Sequence, residues 1–197
     1  MNKMKMLLVC VSLSAVLCAC GITGGSVDTT TVSLEKDGTV TQTIVEDFSQ
    51  PYYDMEELKG NLTSEISAYN AKAGEEEAIV LGNVELNDEK VIRVEMEFKS
   101  SADYKAFNEK ELFAGTVADA YSAGYEFTSM RDVNQEGVVL SAADVLEKGD
   151  MNIVILEEAQ QIKVPGNISY ISDGVSVIET KRAVNLNEGQ NAFIIYE

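Results

Sequence analysis

The stretch RDVNQEGVVL places oxygen-bearing side chains at alternate positions, with Asp132, Asn134 and Glu136 followed at once by Gly137. Oxygen ligands at the first, third and fifth positions of a loop, with a glycine for the sharp turn at the sixth, are how a short segment wraps a calcium ion. Val139 falls at the usual hydrophobic position of such a loop. These three residues are the candidate metal ligands of the chain. A second pairing, Ser33 and Lys36, has the Ser-x-x-Lys spacing in which a lysine can activate a serine nucleophile. Acid pairs for glycoside hydrolysis cannot be picked out of 33 acidic residues without geometry.

Each candidate has a competing structural explanation. The RDVNQEG segment resembles the dockerin type of calcium loop, in which an aspartate closes the coordination at the twelfth position. Here that position is Ala143, and Asp144 comes one residue late. Ser141 and Asp144 have the spacing of a helix capping box, which gives Asp144 a simpler role. A polar turn after the strand EFTSM therefore competes with calcium binding. Ser-x-x-Lys resembles the motif of penicillin-interacting serine enzymes, where the serine starts a helix. Ser33 instead lies in an alternating segment just before a turn, and the partner motifs are missing. The stretch AGTVADAYSAG lacks the lysine and the spacing of a phosphate loop.

The chain contains no histidine, so the commonest general base, the Ser-His-Asp triad and the usual zinc ligands are excluded. It contains no tryptophan, which weakens a carbohydrate-stacking reading, although Tyr52 and Tyr53 sit side by side after Pro51. The formal charge of −18 excludes nucleic acid as a natural partner, because phosphate binding needs a basic face. No cofactor is expected.

The first residues read MNKMKMLLVCVSLSAVLCAC. Lys3 and Lys5 precede an apolar run, Met6 to Val16, that is too short to span a bilayer. The run ends Leu17-Cys18-Ala19-Cys20. This resembles the lipobox of bacterial lipoproteins: an aliphatic residue, a tolerant position, a small residue, then cysteine. The resemblance implies cleavage before Cys20 and a diacylglyceryl group on its thiol; two acyl chains anchor stably where one is marginal. It covers only the first twenty residues or so, and Cys18 departs from the usual Ala, Ser or Thr. Cys10 and Cys18 would leave with the signal and Cys20 would be consumed by lipid, so no disulfide is expected. Loss of Lys3 and Lys5 takes the charge from −18 to −20.

The elements that must position any site follow from periodicity. GITGGSVDTTT reads as a flexible tether. TVSLEKDGTVTQTIVEDF alternates on both sides of Asp37-Gly38, a hairpin signal. Asp54 opens a helix whose Met55, Leu58, Leu62, Ile66 and Tyr69 form one apolar stripe, ending at Gly74. AIVLGNVEL and KVIRVEMEF form a second strand pair, the latter with Ile92, Val94, Met96 and Phe98 on one face. Residues 100–125 predict two short helices, started by Ser100 and Thr116, with a turn near Gly115. From Glu126 onward NIVILEE, QIKVP, ISYIS, VSVIET, RAVNL and AFIIYE are short, β-rich and separated by turn residues.

The expected fold class is α+β: an antiparallel sheet with covering helices, in order ββ-α-ββ-α, followed by a β-rich C-terminal module. The expected divisions are a signal peptide over 1–19, a lipidated tether over 20–28, an α+β domain over 29–125 and a β-rich module over 126–197, separate or continuous with the first. The body resembles uncharacterised small lipoproteins of Gram-positive bacteria, a general likeness without a motif. The expected function is a non-enzymatic binding or structural module of the cell envelope. It would be held to the extracytoplasmic face of the cell membrane by its lipid, with an envelope protein as partner. The alternatives are an envelope hydrolase working with carboxylates alone, or a small solute-binding lipoprotein.

Overall fold

The computed structural model describes residues 29–197; the lipobox motif and most of the tether segment lie outside them. The first hairpin joins β1 (Thr31–Leu34) to β2 (Val40–Asp47), with Gly38 at φ +91° in its turn, a conformation that suits glycine. Helix α1 (Met55–Ala73) follows. Asp54 caps it by accepting from the Glu57 amide, and Gly74, at φ +74°, ends it. Strands β3 (Ile79–Leu86) and β4 (Val91–Phe98) form a second hairpin. Helix α2 (Ser101–Asn108) starts at Ser100, whose hydroxyl accepts from the Asp103 amide.

The expected turn near Gly115 is instead a strand, β5 (Leu112–Thr116). Its Leu112, Phe113 and Ala114 have a partner that local pattern cannot reveal: β8, about forty residues onward. Helix α3 (Val117–Ser122) then begins in a full capping box between Thr116 and Asp119. A short hairpin, β6 (Met130–Asp132) and β7 (Val139–Leu140), leads to α4 (Ala142–Leu146), which opens on the Ser141–Asp144 capping box. Six strands complete the chain: β8 (Asn152–Leu156), β9 (Gln161–Lys163), β10 (Ile168–Ser172), β11 (Val175–Glu179), β12 (Arg182–Asn185) and β13 (Ala192–Tyr196).

The fold is α+β, built mostly of strands. Two sheets form among the described residues. The first runs β11-β12-β9-β1-β2-β4-β3, the second β5-β8-β13-β10-β6-β7. Strands from both sides of residue 125 enter each sheet. Within residues 29–125 the expected antiparallel pairing holds for β1, β2, β4 and β3, and β9 from the C-terminal part then joins β1 in parallel, Ile162 opposite Val32. Hairpin turns enforce antiparallel pairing only between neighbours in sequence, and β9 reaches β1 by a long connection.

The inner face of the first sheet carries Val32, Leu34, Val40, Val94, Met96, Phe98 and Ile162. It shares one core with Val154, Leu156, Ile171 and Ile194 of the second sheet and with Leu62, Ile66 and Tyr104 of the helices. The second sheet is buried on its other face too, where Ile153, Ile155, Phe193 and Ile195 meet Val117, Ala120 and Val145 of α3 and α4. That double burial explains why β8 and β13 are near-continuous apolar runs, whereas β4 alternates. Burying each of their large side chains stabilises the fold by about 1.5–3 kcal/mol before entropy is counted.

Candidate functional site

The three candidate calcium ligands lie at the β6–β7 hairpin. Asp132 ends β6 and is buried; its Oδ1 accepts from the amides of Asn134 (2.8 Å) and Gln135 (3.2 Å), and its Oδ2 from Gln135 Nε2 (3.4 Å). The Asp132 amide donates to Val138 O, and Gly137 takes φ +79°. The carboxylate thus closes a turn by satisfying its own backbone. Val139, which a calcium loop would tuck inward, is 61% exposed. Asn134 lines a neighbouring cleft. Among the described residues no group of three or more acidic, histidine or cysteine side chains is arranged to hold a metal ion. Ser33 lies within β1 and Lys36 in the turn after it, so no helix start carries that pair.

Tyr52 and Tyr53 form an aromatic group with Phe48. Phe48 and Tyr53 stack at 4.8 Å, Tyr52 meets Tyr53 edge-on at 4.9 Å, and Tyr52 is 73% exposed. Glu75, just after α1, forms an ion pair with Lys99.

One buried polar network escaped sequence reasoning. Tyr104 of α2 is wholly buried, and its hydroxyl donates to Glu158 Oε2 at 2.6 Å. The Tyr104 hydroxyl oxygen also accepts from Gln160 Nε2 (3.2 Å) and Gln42 Nε2 (3.4 Å), while Gln42 Oε1 accepts from Asn108 Nδ2 (3.3 Å). The network ties α2, β2 and the β8–β9 connection together. Burial pushes the Tyr104 hydroxyl well above its ordinary pKa, and the Glu158 carboxylate adds to this. Burial also raises the Glu158 carboxyl, opposed by its bond from Tyr104 and by Lys110. Lys110 is raised in turn: burial works against its charge, but Glu188, with Glu158 and Glu157, outweighs it. Because Tyr104 is sealed from solvent and its oxygen is fully engaged, its hydroxyl acts as a core clamp, while Glu158 at the edge of the network is only half-buried. Gln42 sat in an alternating strand segment and Gln160 in the connection between two strands, with nothing to mark either as inward-facing.

Two of the clefts on the described surface are formed by the elements above. The larger, of about 530 Å³, is lined by Arg131, Val133, Asn134, Ile168 and the run Ser176 to Thr180. It lies between β6 and β10 of one sheet and the edge strand β11 of the other. The smaller, of about 330 Å³, lies between α3 and α4, where Tyr121, Tyr125, Phe127 and Leu146 make it largely aromatic. Each presents one carboxylate, Glu179 in the first and Glu126 in the second. No helix among the described residues is long and apolar enough to cross a membrane. Comparison with protein-family models, with curated proteins and with solved structures returned no match.

Proposed function

We infer that the chain is a lipid-anchored protein of the extracytoplasmic face of the cell membrane, with a body that serves as a non-enzymatic binding module of the cell envelope. The anchor rests on Leu17-Cys18-Ala19-Cys20 placed after a charged start and a short apolar run. The observation that carries the binding role is the make-up of the larger cleft. It combines one arginine, one carboxylate, small polar groups and apolar side chains along the edge of a sheet. This suits recognition, in which a few polar groups orient a ligand on an apolar surface.

Hydrolysis of a glycoside by carboxylates alone needs two of them across one scissile bond. The single acid in each of these two clefts favours binding there over that alternative. The test of the anchor is metabolic labelling with radioactive palmitate. The full chain should take up label and sediment with membranes, and Cys20→Ser should do neither. Equal labelling of the two would refute the anchor. For the binding role, photo-cross-linking from the larger cleft in intact cells should capture one discrete envelope protein. Capture of none would sink it.

A further inference from the structure

Strand β11 is the outermost strand of the seven-stranded sheet, paired with β12 alone. In an antiparallel ladder, successive residues direct their backbone groups alternately toward the partner and away from it. The Leu186 amide donates to Gly174 O (2.9 Å), so Gly174 and then Ser176 face β12. Consistent with this, the Asn185 amide turns the other way, to Gln160 O (3.1 Å). Val175 and Val177 therefore direct their N–H and C=O groups to the open side. One contact marks that direction: Arg131 Nη2 donates to Val175 O at 3.4 Å.

The open side faces the larger cleft, which is closed at its far end where the Ile168 amide donates to Thr180 O (2.8 Å). Val177 and Ile178, each 38% exposed, flank it, with Ile168 and Val133 opposite. Open edges recruit other strands, and proteins commonly block them with lysine, proline or a bulge. Strand β11 has no lysine or proline; its register shift comes only between Val177 and Glu179, leaving Val175 to Val177 regular. Arg131 adds a charge. It is exposed, and among the described residues it meets no carboxylate although the chain carries 33 acids against 15 basic residues.

We propose that this cleft binds an extended peptide segment, added as a strand to the open edge of β11, with an acidic side chain of the segment held by the Arg131 guanidinium. Strand addition supplies affinity through main-chain hydrogen bonds and specificity through alternate side chains. The guanidinium fork suits a carboxylate. A second copy of this chain is the poorer occupant, because a body with net charge −18 repels itself. The proposal rests on the reading of the body as a binding module and is independent of the anchor.

The test uses the purified full chain in detergent. The probe is a fluorescent, end-capped heptapeptide of alternating valine and threonine with a central glutamate, followed by anisotropy. Saturable binding is expected. Arg131→Glu, or glutamine in place of the peptide glutamate, should each weaken it about tenfold, as loss of a charge-assisted pair does. Combining the two peptide and protein changes should weaken it little further. Val177→Pro removes an N–H that faces the cleft rather than β12, and should abolish binding. Backbone N-methylation of the peptide should do the same without touching the protein. No saturable binding, equal affinity for the N-methylated peptide, or indifference to Arg131→Glu would overturn the proposal. So would sedimentation showing that Arg131→Glu dissolves a self-associated form. If these fail while cross-linking from the cleft still captures an envelope protein, strand addition falls and the binding role of the cleft stands.

Discussion

Replacing Tyr104 by phenylalanine removes one oxygen and keeps the ring, which still packs edge-on against Phe98 at 5.2 Å. That oxygen makes three hydrogen bonds in a fully buried setting: to Glu158 at 2.6 Å, and from Gln160 and Gln42 at 3.2 and 3.4 Å. The bond to the carboxylate is the strongest, since hydrogen bonds to charged groups contribute about 1.5–3 kcal/mol. The two amides keep other partners: Gln160 Nε2 also reaches Glu158 (3.1 Å), and Gln42 Oε1 is held by Asn108. Their loss adds little. The expected cost is about 2–3 kcal/mol, a fall in Tm of about 4–12 °C for a body of this size. Urea denaturation with unchanged slope is the assay. A second readout isolates the network from general packing: in a double-mutant cycle with Glu158→Gln, the two losses should couple by at least about 1 kcal/mol. A loss under about 0.5 kcal/mol, or strict additivity, would show that the hydroxyl does not clamp α2 to the β8–β9 connection.

Glu158→Gln tests the pH dependence. Burial holds the carboxyl above its ordinary value of 4.5, so the folded state binds the proton more tightly than the unfolded chain. The stability this contributes is complete below the ordinary value and is lost as pH climbs through the raised one. Stability of the glutamine variant relative to the parent should therefore rise as pH climbs above the ordinary value of 4.5, and a flat difference would refute the shift. Gly166→Ala would drive a Cβ into the Glu197 backbone and the Tyr196 ring, where Asn167 and Glu197 exchange two hydrogen bonds. A loss of about 1–3 kcal/mol is expected, and a neutral effect in thermal melts would contradict the tight approach. Asp132→Ala should cost about 1–2 kcal/mol through loss of its turn bonds, equally in calcium and in EDTA. An upward shift of the parent's Tm in calcium, absent from the variant, would make Asp132 a ligand instead.

Most local elements were legible in the sequence because their causes are local. Asp54, Ser100, Thr116 and Ser141 announce helix starts through a side chain that reaches an amide three residues on. The Asp37-Gly38 turn and the alternation of β4 follow from backbone sterics and one-sided burial. The six C-terminal strands are marked by turn residues at short intervals. Strand β5 was hidden because its five residues carry no signal of their own, and its partner β8 lies far along the chain.

The sequence by itself determined the amino-terminal motif with Cys20, the acidity, the absence of histidine and the kinds of element the chain forms. These depend on residue identity and on neighbours a few positions away. Tertiary structure alone decided that β1 would meet β9 in parallel, that β11 would be left with an open edge beside Arg131, and that Tyr104, Gln42, Gln160 and Glu158 would converge. Those outcomes depend on which distant apolar faces bury one another. Periodicity states that a face will be buried, but it carries no information about its partner.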